Sequence, residues 1–351
     1  MQTMRLALAG LMALSIAVPA WAAKPRIVIL ATGGTIAGAQ AEGQDAGYKS
    51  GSFKVEDLIK AVPNLDKLAD IGGEQVVNIG SQDMNDQVWL KLARRLNDVL
   101  AQPDVDAVVI THGTDTMEET GYFLSLVTKS DKPVVMVGSM RPATATGADG
   151  SANIFNAVSV AAHPGATGRG VMVLLNDEIH HAREATKTNT TQLDTFKSPN
   201  RGKAGMTNAG RVYFYDALAT RHTKASVFSV DGLQSLPRVD IFYAHANVGR
   251  DYIDACVKLG CKGMVLAGVG DGNATETAVA GLRDAVKKGV AVVRSSRTNS
   301  GITDRNVELN DDELGTIASM ELNPQKARVL LMLGLTKTSD AAQLQKFFYE
   351  Y

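Results

Sequence analysis

Two cysteines, Cys256 and Cys261, are all that the 351 residues contain, so neither a disulfide framework nor a cysteine zinc cluster organises this chain. In C-V-K-L-G-C they flank a predicted helix end, where they could pair locally or pack as free thiols. Charge of one sign is also lacking: 36 basic against 37 acidic residues exclude nucleic acid and anionic membrane as expected partners and leave a small molecule. Long hydrophobic runs are absent beyond Leu6–Val18, which is too short to span a bilayer. With Arg5 before it and Ala20-Trp21-Ala22 after it, that run makes residues 1–23 a removable secretory leader, and the product an exported protein. Motifs for several chemistries are missing too. No G-x-G-x-x-G spacing is complete, and neither a P-loop nor a G-x-S-x-G elbow occurs. The six histidines are scattered, so neither a metal site nor a cofactor is expected.

What is present is a β-α alternation with 45% hydrophobic residues and few aromatics, sufficient for one large or two ordinary domains. Arg26–Ala31 is an unbroken apolar, β-branched run that predicts a strand buried on both faces. It ends in Thr32-Gly33-Gly34-Thr35, leaving a hydroxyl at the carboxyl end of a first strand, where open α/β sheets bind ligands. The following stretch, residues 39–52, is small, polar and Gly-rich around Tyr48, the composition of a mobile lid or of a plain surface loop.

Further strands are predicted at Glu74–Ile79, Ala107–Ile110, Val134–Val137 and Val171–Leu175. After the second comes Ser81-Gln82-Asp83, then Trp89, Leu92, Ala93, Leu96 and Leu100 at helical spacing, which makes Ser81 or Asp83 a candidate cap. The third strand runs into Thr111-His112-Gly113-Thr114-Asp115-Thr116, where Thr116 and Glu119 predict a capping box just behind Thr114 and Asp115. A second hydroxyl thus stands at a second strand end, beside a carboxylate. His112 is a candidate base or a histidine packed in a turn. Lys187, among the hydroxyls of T-K-T-N-T-T, is a candidate base or a solvated surface residue. Gly210–Tyr215 reads as a hairpin strand, and periodicity fades from Asp216 to Arg238. From Val239 the alternation resumes, with a helix capped by Asn273, another opened by Asn323-Pro324 and a last one near Asp340.

Six segments together carry a family resemblance: I-L-A-T-G-G-T-I-A-G, G-E-Q-V-V-N-I-G-S-Q-D-M-N-D, V-I-T-H-G-T-D-T-M-E-E-T, K-P-V-V-M-V-G-S-M-R-P, T-K-T-N-T-T and L-N-P-Q-K-A-R-V-L-L. From about Lys24 to Tyr351 the chain resembles the bacterial type II, periplasmic L-asparaginases. The resemblance implies a two-domain α/β fold, with a larger, mainly parallel N-terminal domain (24–215), a linker (216–238) and a smaller parallel α/β domain (239–351). It implies Thr35 as nucleophile, Tyr48 as its assistant, and Thr114, Asp115 and Lys187 as a second hydroxyl triad. Ser81 and Gln82 match the pair that binds the α-carboxylate and α-amino ends of the substrate, with Asp115 on the ammonium. Glu308 matches an acid lent by a neighbouring subunit of a homotetramer.

The implied reaction is cofactor-free hydrolysis of L-asparagine through a threonyl ester. Two alternatives are a glutaminase-asparaginase and, in another class, an exported amino acid binding protein. The sequence departs from the best-known members in lacking their disulfide and in placing Asp271 where relatives often have Asn, Ser or Ala. Gln82, where dual-specificity relatives tend to have Glu, favours asparagine.

Overall fold

A computed structural model describes residues 24–40, 48–49, 51 and 53–351. The expected leader, most of the expected lid and the Tyr48 side chain lie outside what it describes.

The strands in chain order are β1 (Arg26–Gly33), β2 (Ala39–Gln40), β3 (Tyr48–Lys49), β4 (Asp70–Ile79), β5 (Ala107–Thr111), β6 (Val134–Val137), β7 (Val171–Leu175) and β8 (Glu178–His181). They continue with β9 (Thr186–Lys187), β10 (Phe196–Lys197), β11 (Gly205–Asn208), β12 (Arg211–Phe214), β13 (Val239–Tyr243), β14 (Gly263–Gly268), β15 (Ala291–Ser296) and β16 (Ile317–Ala318). Eight of them form one sheet in the order β12-β11-β8-β7-β6-β5-β1-β4, parallel from β7 to β4 and antiparallel from β7 to β12. A second sheet, β13-β14-β15-β16, is parallel throughout. The expected two-domain α/β architecture is thus present, with an antiparallel flank on the larger sheet.

Strand order explains where a ligand belongs. The chain leaves β1 for β4 on one side, then crosses to β5 on the other. That reversal opens a crevice outside the carboxyl ends of β1, β4 and β5. Strands buried on both faces supply the rigidity, and every residue of β5, β6 and β7 is buried.

The helices that flank the crevice bury one stripe or nearly all of their surface. Asp86–Leu100 buries Trp89, Leu92, Ala93, Leu96 and Leu100 as the spacing predicts. Its cap, however, is Asn85, whose side chain accepts the Val88 N–H at 3.2 Å, because Ser81–Asp83 forms a separate 3-10 turn upstream. The box predicted for Thr116 and Glu119 does not form either. Thr116 stands at the helix start but donates its hydroxyl to the Ser81 carbonyl at 2.8 Å, and Glu119 faces Arg328 at 3.7 Å. At Glu276–Lys287 the capping side chain is Thr275, two residues past the expected Asn273. The helices opened by Asn323-Pro324 and begun near Asp340 start where expected, with Asn323 and Asp340 as their capping side chains.

The largest apolar cluster contains residues of both sheets, Leu30, Val108 and Met136 together with Val265, Val293 and Ile317. One face of each sheet therefore packs into a shared core, and the far faces hold cores of their own. The connector is part of it: Phe228 is fully buried, with ring centroids 5.0 Å from those of Phe347 and Tyr351. Cys256 and Cys261 are both free and buried. Burial pushes the Cys256 thiol up, reinforced by Cys261 and by Asp240, to which Sγ donates at 3.2 Å.

The second sheet carries a buried ion pair. Arg294 donates through Nε and Nη2 to the two Asp311 oxygens, both at 2.7 Å, with 1% and 0% of the side chains exposed. Removing one partner strands the other's charge in the core. Arg294→Met is expected to destabilise the chain by about 3–5 kcal/mol in urea unfolding; a loss under about 1 kcal/mol would show that Asp311 is satisfied without it.

Candidate active site

The site begins with two glycines that permit a backbone crossing. Gly33 and Gly34 have φ of +103° and +83°, a region that disfavours L side chains. A Cβ on Gly34 would lie 2.3 Å from the Gly113 nitrogen, and one on Gly113 would lie 2.5 Å from Ser81 Oγ. The ends of β1, β5 and β4 are therefore in direct contact, held by the Gly34 N–H to the Ile79 carbonyl at 3.0 Å and by the buried Thr32 hydroxyl to the Thr111 carbonyl at 2.9 Å. Thr35, Thr114 and Ser81 follow these contacts by at most one residue. All three are buried, at 6%, 5% and 4% exposure.

Around them the polar geometry is specific. Ser81 Oγ accepts the Asp115 N–H at 3.1 Å, which fixes the β4 end to the start of the helix Met117–Val127. Lys187 Nζ donates to Thr114 Oγ1 at 3.0 Å and to Asp115 Oδ1 at 2.6 Å. Lys187 is 17% exposed and Asp115 57%, so the pair stands at the mouth of the crevice. Lys187 Nζ fills a lone pair of the Thr114 oxygen and leaves that hydroxyl's own proton free to be donated. The three groups form a relay with its open end at Thr114.

Not every candidate joins this group. Gln82 is exposed, its amide folded back over Gly80 and 3.5 Å from Asp83. Glu308 is exposed on the turn before the helix Asp311–Leu314, in a segment whose hydrogen bonds, such as Arg305 to Thr316, stay within the C-terminal part of the chain. Asp271 Oδ1 accepts the Asp304 N–H at 2.9 Å, so its carboxylate ties two loops together. His112 is fully buried in its turn, Nδ1 against the Gly113 carbonyl at 2.7 Å. Burial lowers its pKa to about 4, so at neutral pH it is uncharged and positions the backbone beside Thr114.

Two features behind the site were not singled out in the sequence. Lys326, 2% exposed, donates to Glu118 at 3.3 Å and to Thr186 at 3.0 Å, and Asn323 donates to the same two oxygens at 3.1 and 3.4 Å. The available signal was the spacing of Lys326, three, four and seven residues before Val329, Leu330 and Leu333, which puts it on their inward helix face. Next to it, burial outweighs Arg328 and raises Glu119 to about 7. Among the described residues no group of three or more His, Cys, Asp or Glu is arranged to hold a metal.

Hydroxyls at two adjacent strand ends, backed by a lysine-carboxylate pair, stand at the switch point of a two-domain α/β fold, an arrangement that suits a hydrolase. The chain belongs to the asparaginase family: residues 26–220 match the family profile "Asparaginase, N-terminal" and residues 238–348 match "Glutaminase/Asparaginase C-terminal domain". It is 53% identical to "L-asparaginase 2" of Bacillus subtilis over 93% of this chain and 87% of that one. It is 48% identical to "Probable L-asparaginase periplasmic" of Haemophilus influenzae over the full length of both. Among solved structures, the "Probable Cytoplasmic L-asparaginase" of Campylobacter jejuni superposes with a TM-score of 0.90 at 48% identity, over 93% of this chain and all of that one. The family and the fold bear out the resemblance, and membership sets aside the binding-protein alternative.

Glu119 offers a pH test of the packing behind the site. Its folded pKa lies above the ordinary carboxyl value of 4.5. The folded state therefore holds a proton that the unfolded chain gives up, and stability falls as pH rises from about 4.5 to 7. Glu119→Gln is expected to gain about 2 kcal/mol on its parent between pH 5 and pH 8 in urea unfolding; a pH-independent difference would refute the buried, protonated carboxyl.

Proposed function

We propose that this protein hydrolyses L-asparagine to L-aspartate and ammonia through an ester on Thr35. The observation that carries the reading is Lys187 Nζ, within hydrogen-bonding distance of both Thr114 and Asp115 at a strand end packed against that of Thr35. Thr35 Oγ attacks the side-chain amide carbon and its proton passes to Tyr48 or, with Lys187 as an uncharged amine, through the Thr114 hydroxyl to Lys187. Backbone N–H groups near Thr114 hold the oxyanion; the Asp115 N–H, occupied by Ser81 Oγ, is not among the free donors. The C–N bond breaks, the amine takes the proton and leaves as ammonia, and water cleaves the ester to free L-aspartate and the Thr35 hydroxyl.

Ser81, Gln82 and Asp115 hold the two charged ends of the amino acid. Exposed Glu308 completes the site of a neighbouring subunit in a homotetramer built as a dimer of dimers, with residues 24–215 and 239–351 as its domains and 216–238 as the linker. Export with cleavage near Ala22-Ala23 follows from the leader and fits a periplasmic enzyme, as the name of the Haemophilus influenzae relative has it. Among the described residues no helix is long and apolar enough to cross a membrane.

A second reading is dual action on L-glutamine, favoured by the C-terminal profile's description, since one methylene is worth only about 1–3 kcal/mol of discrimination. A coupled ammonia assay with L-Asn, L-Gln and D-Asn decides between them: fastest release from L-Asn is expected, comparable rates on L-Gln establish the second reading, and no release from either overturns both. Thr35→Ala is expected to lose at least about a thousandfold in kcat, as removal of a covalent nucleophile does, and a slow-turnover analogue to leave its adduct on Thr35 by mass spectrometry; an adduct elsewhere would remove the nucleophile assignment. Asp115→Ala is expected to raise KM by about tenfold or more, one charge-assisted contact's worth; unchanged kinetics would remove Asp115 from the substrate grip.

A further inference from the structure

The two chain segments that carry the Thr114–Asp115–Lys187 group are joined a second time, from behind, by a buried cation of the C-terminal helix Pro324–Leu335. On the front, Lys187 meets Thr114 and Asp115. On the back, Thr186 turns to the opposite side of the β9 strand, as adjacent strand residues do, and its hydroxyl oxygen accepts from Lys326 Nζ at 3.0 Å. The same ammonium donates at 3.3 Å to Glu118, in the first turn of the helix that starts just past Asp115. Asn323, which caps the helix bearing Lys326, bonds both acceptors as well. Lys326, Glu118 and Thr186 are 2%, 5% and 7% exposed.

A buried ion pair seldom earns its place through stability alone, because desolvation offsets most of the attraction. This one spans the two segments whose relative position sets the Lys187 hydrogen bonds. We infer that Lys326, acting through Thr186 and Glu118, is a positioning residue that holds Lys187 against Thr114 and Asp115, so that the C-terminal part of the chain sets the geometry of a relay otherwise made by the N-terminal part. The inference rests on the proposed asparaginase reaction. A displacement on the order of 1 Å at a reacting group lowers turnover about a hundredfold, whereas Lys326 is placed too far behind the site to touch substrate, so the effect falls on kcat and not on KM.

The full-length enzyme provides the test. Ammonia release from L-asparagine by the parent tests the reaction itself, and the ratio of each variant to the parent tests the positioning. Lys326→Met and Thr186→Val are each expected to lower kcat by about 10- to 100-fold, with KM within about threefold of the parent. The double variant is expected to be no slower than the slower single one, because both cut the same link. Lys326→Met/Glu118→Gln, which removes the stranded charge, is expected to regain the parent Tm without regaining kcat. The inference is overturned if Thr186→Val keeps kcat within about twofold of the parent, if the two single losses simply multiply, or if kcat returns along with Tm in the charge-neutral pair. Should Lys326→Met alone fail to fold, Thr186→Val and the charge-neutral pair decide.

Discussion

Between Gly34 and Gly113 there is no space for a carbon atom, and the site depends on that contact. A Cβ at residue 34 would approach the neighbouring backbone to 2.3 Å, so any side chain would push the β1 end away from β5 and carry Thr35 from Thr114. Gly113 is pressed in turn against Ser81. The β1 end meets β5 at Gly113 and β4 at Ile79 backbone to backbone, which rotamer motion cannot relax, and Gly113 meets β4 through the Ser81 side chain. Hydroxyl chemistry needs this, since a weak nucleophile reacts only when its base and its oxyanion donors are already in place.

Lys187 reaches this unit from a two-residue strand paired only with Phe196–Lys197. So short a ribbon cannot fix a side chain by itself. Its surroundings do so: Arg183 donates to the Tyr351 backbone oxygen at 2.7 Å and pairs with Glu184 and Glu321, and Thr186 is held by Lys326 and Asn323. The shared core that packs one face of each sheet together explains how C-terminal residues arrive there. Lys326 is the buried cation of a helix largely committed to that core. Burial lowers its pKa and Glu118 opposes that lowering.

Much of this was legible before any coordinates. Apolar β-branched runs marked β1, β5, β6 and β7 because strands buried on both faces have no other way to read. The pair of hydroxyls at strand ends followed from the glycines and from the acids after them. Caps were less legible. Ser81, Asp83, Thr116 and Asn273 all have capping side chains, and each lost the role to a neighbour or to a tertiary partner such as the Ser81 carbonyl that takes the Thr116 hydroxyl. Several residues near a helix start can satisfy its free N–H groups at similar cost, so the choice falls to whichever side chain has no better partner.

Sequence by itself determined the two-sheet class, the strand ends that carry hydroxyls and the membership of the six motifs in one family, because periodicity and motif spacing are local properties of the chain. The resemblance implied that Thr114, Asp115 and Lys187 act together; tertiary structure supplied their contact across more than seventy residues and alone decided that Lys326 closes the same junction from behind. Contacts at such separation are fixed by how sheets stack and share a core, and a linear pattern of residue types carries no measure of that distance.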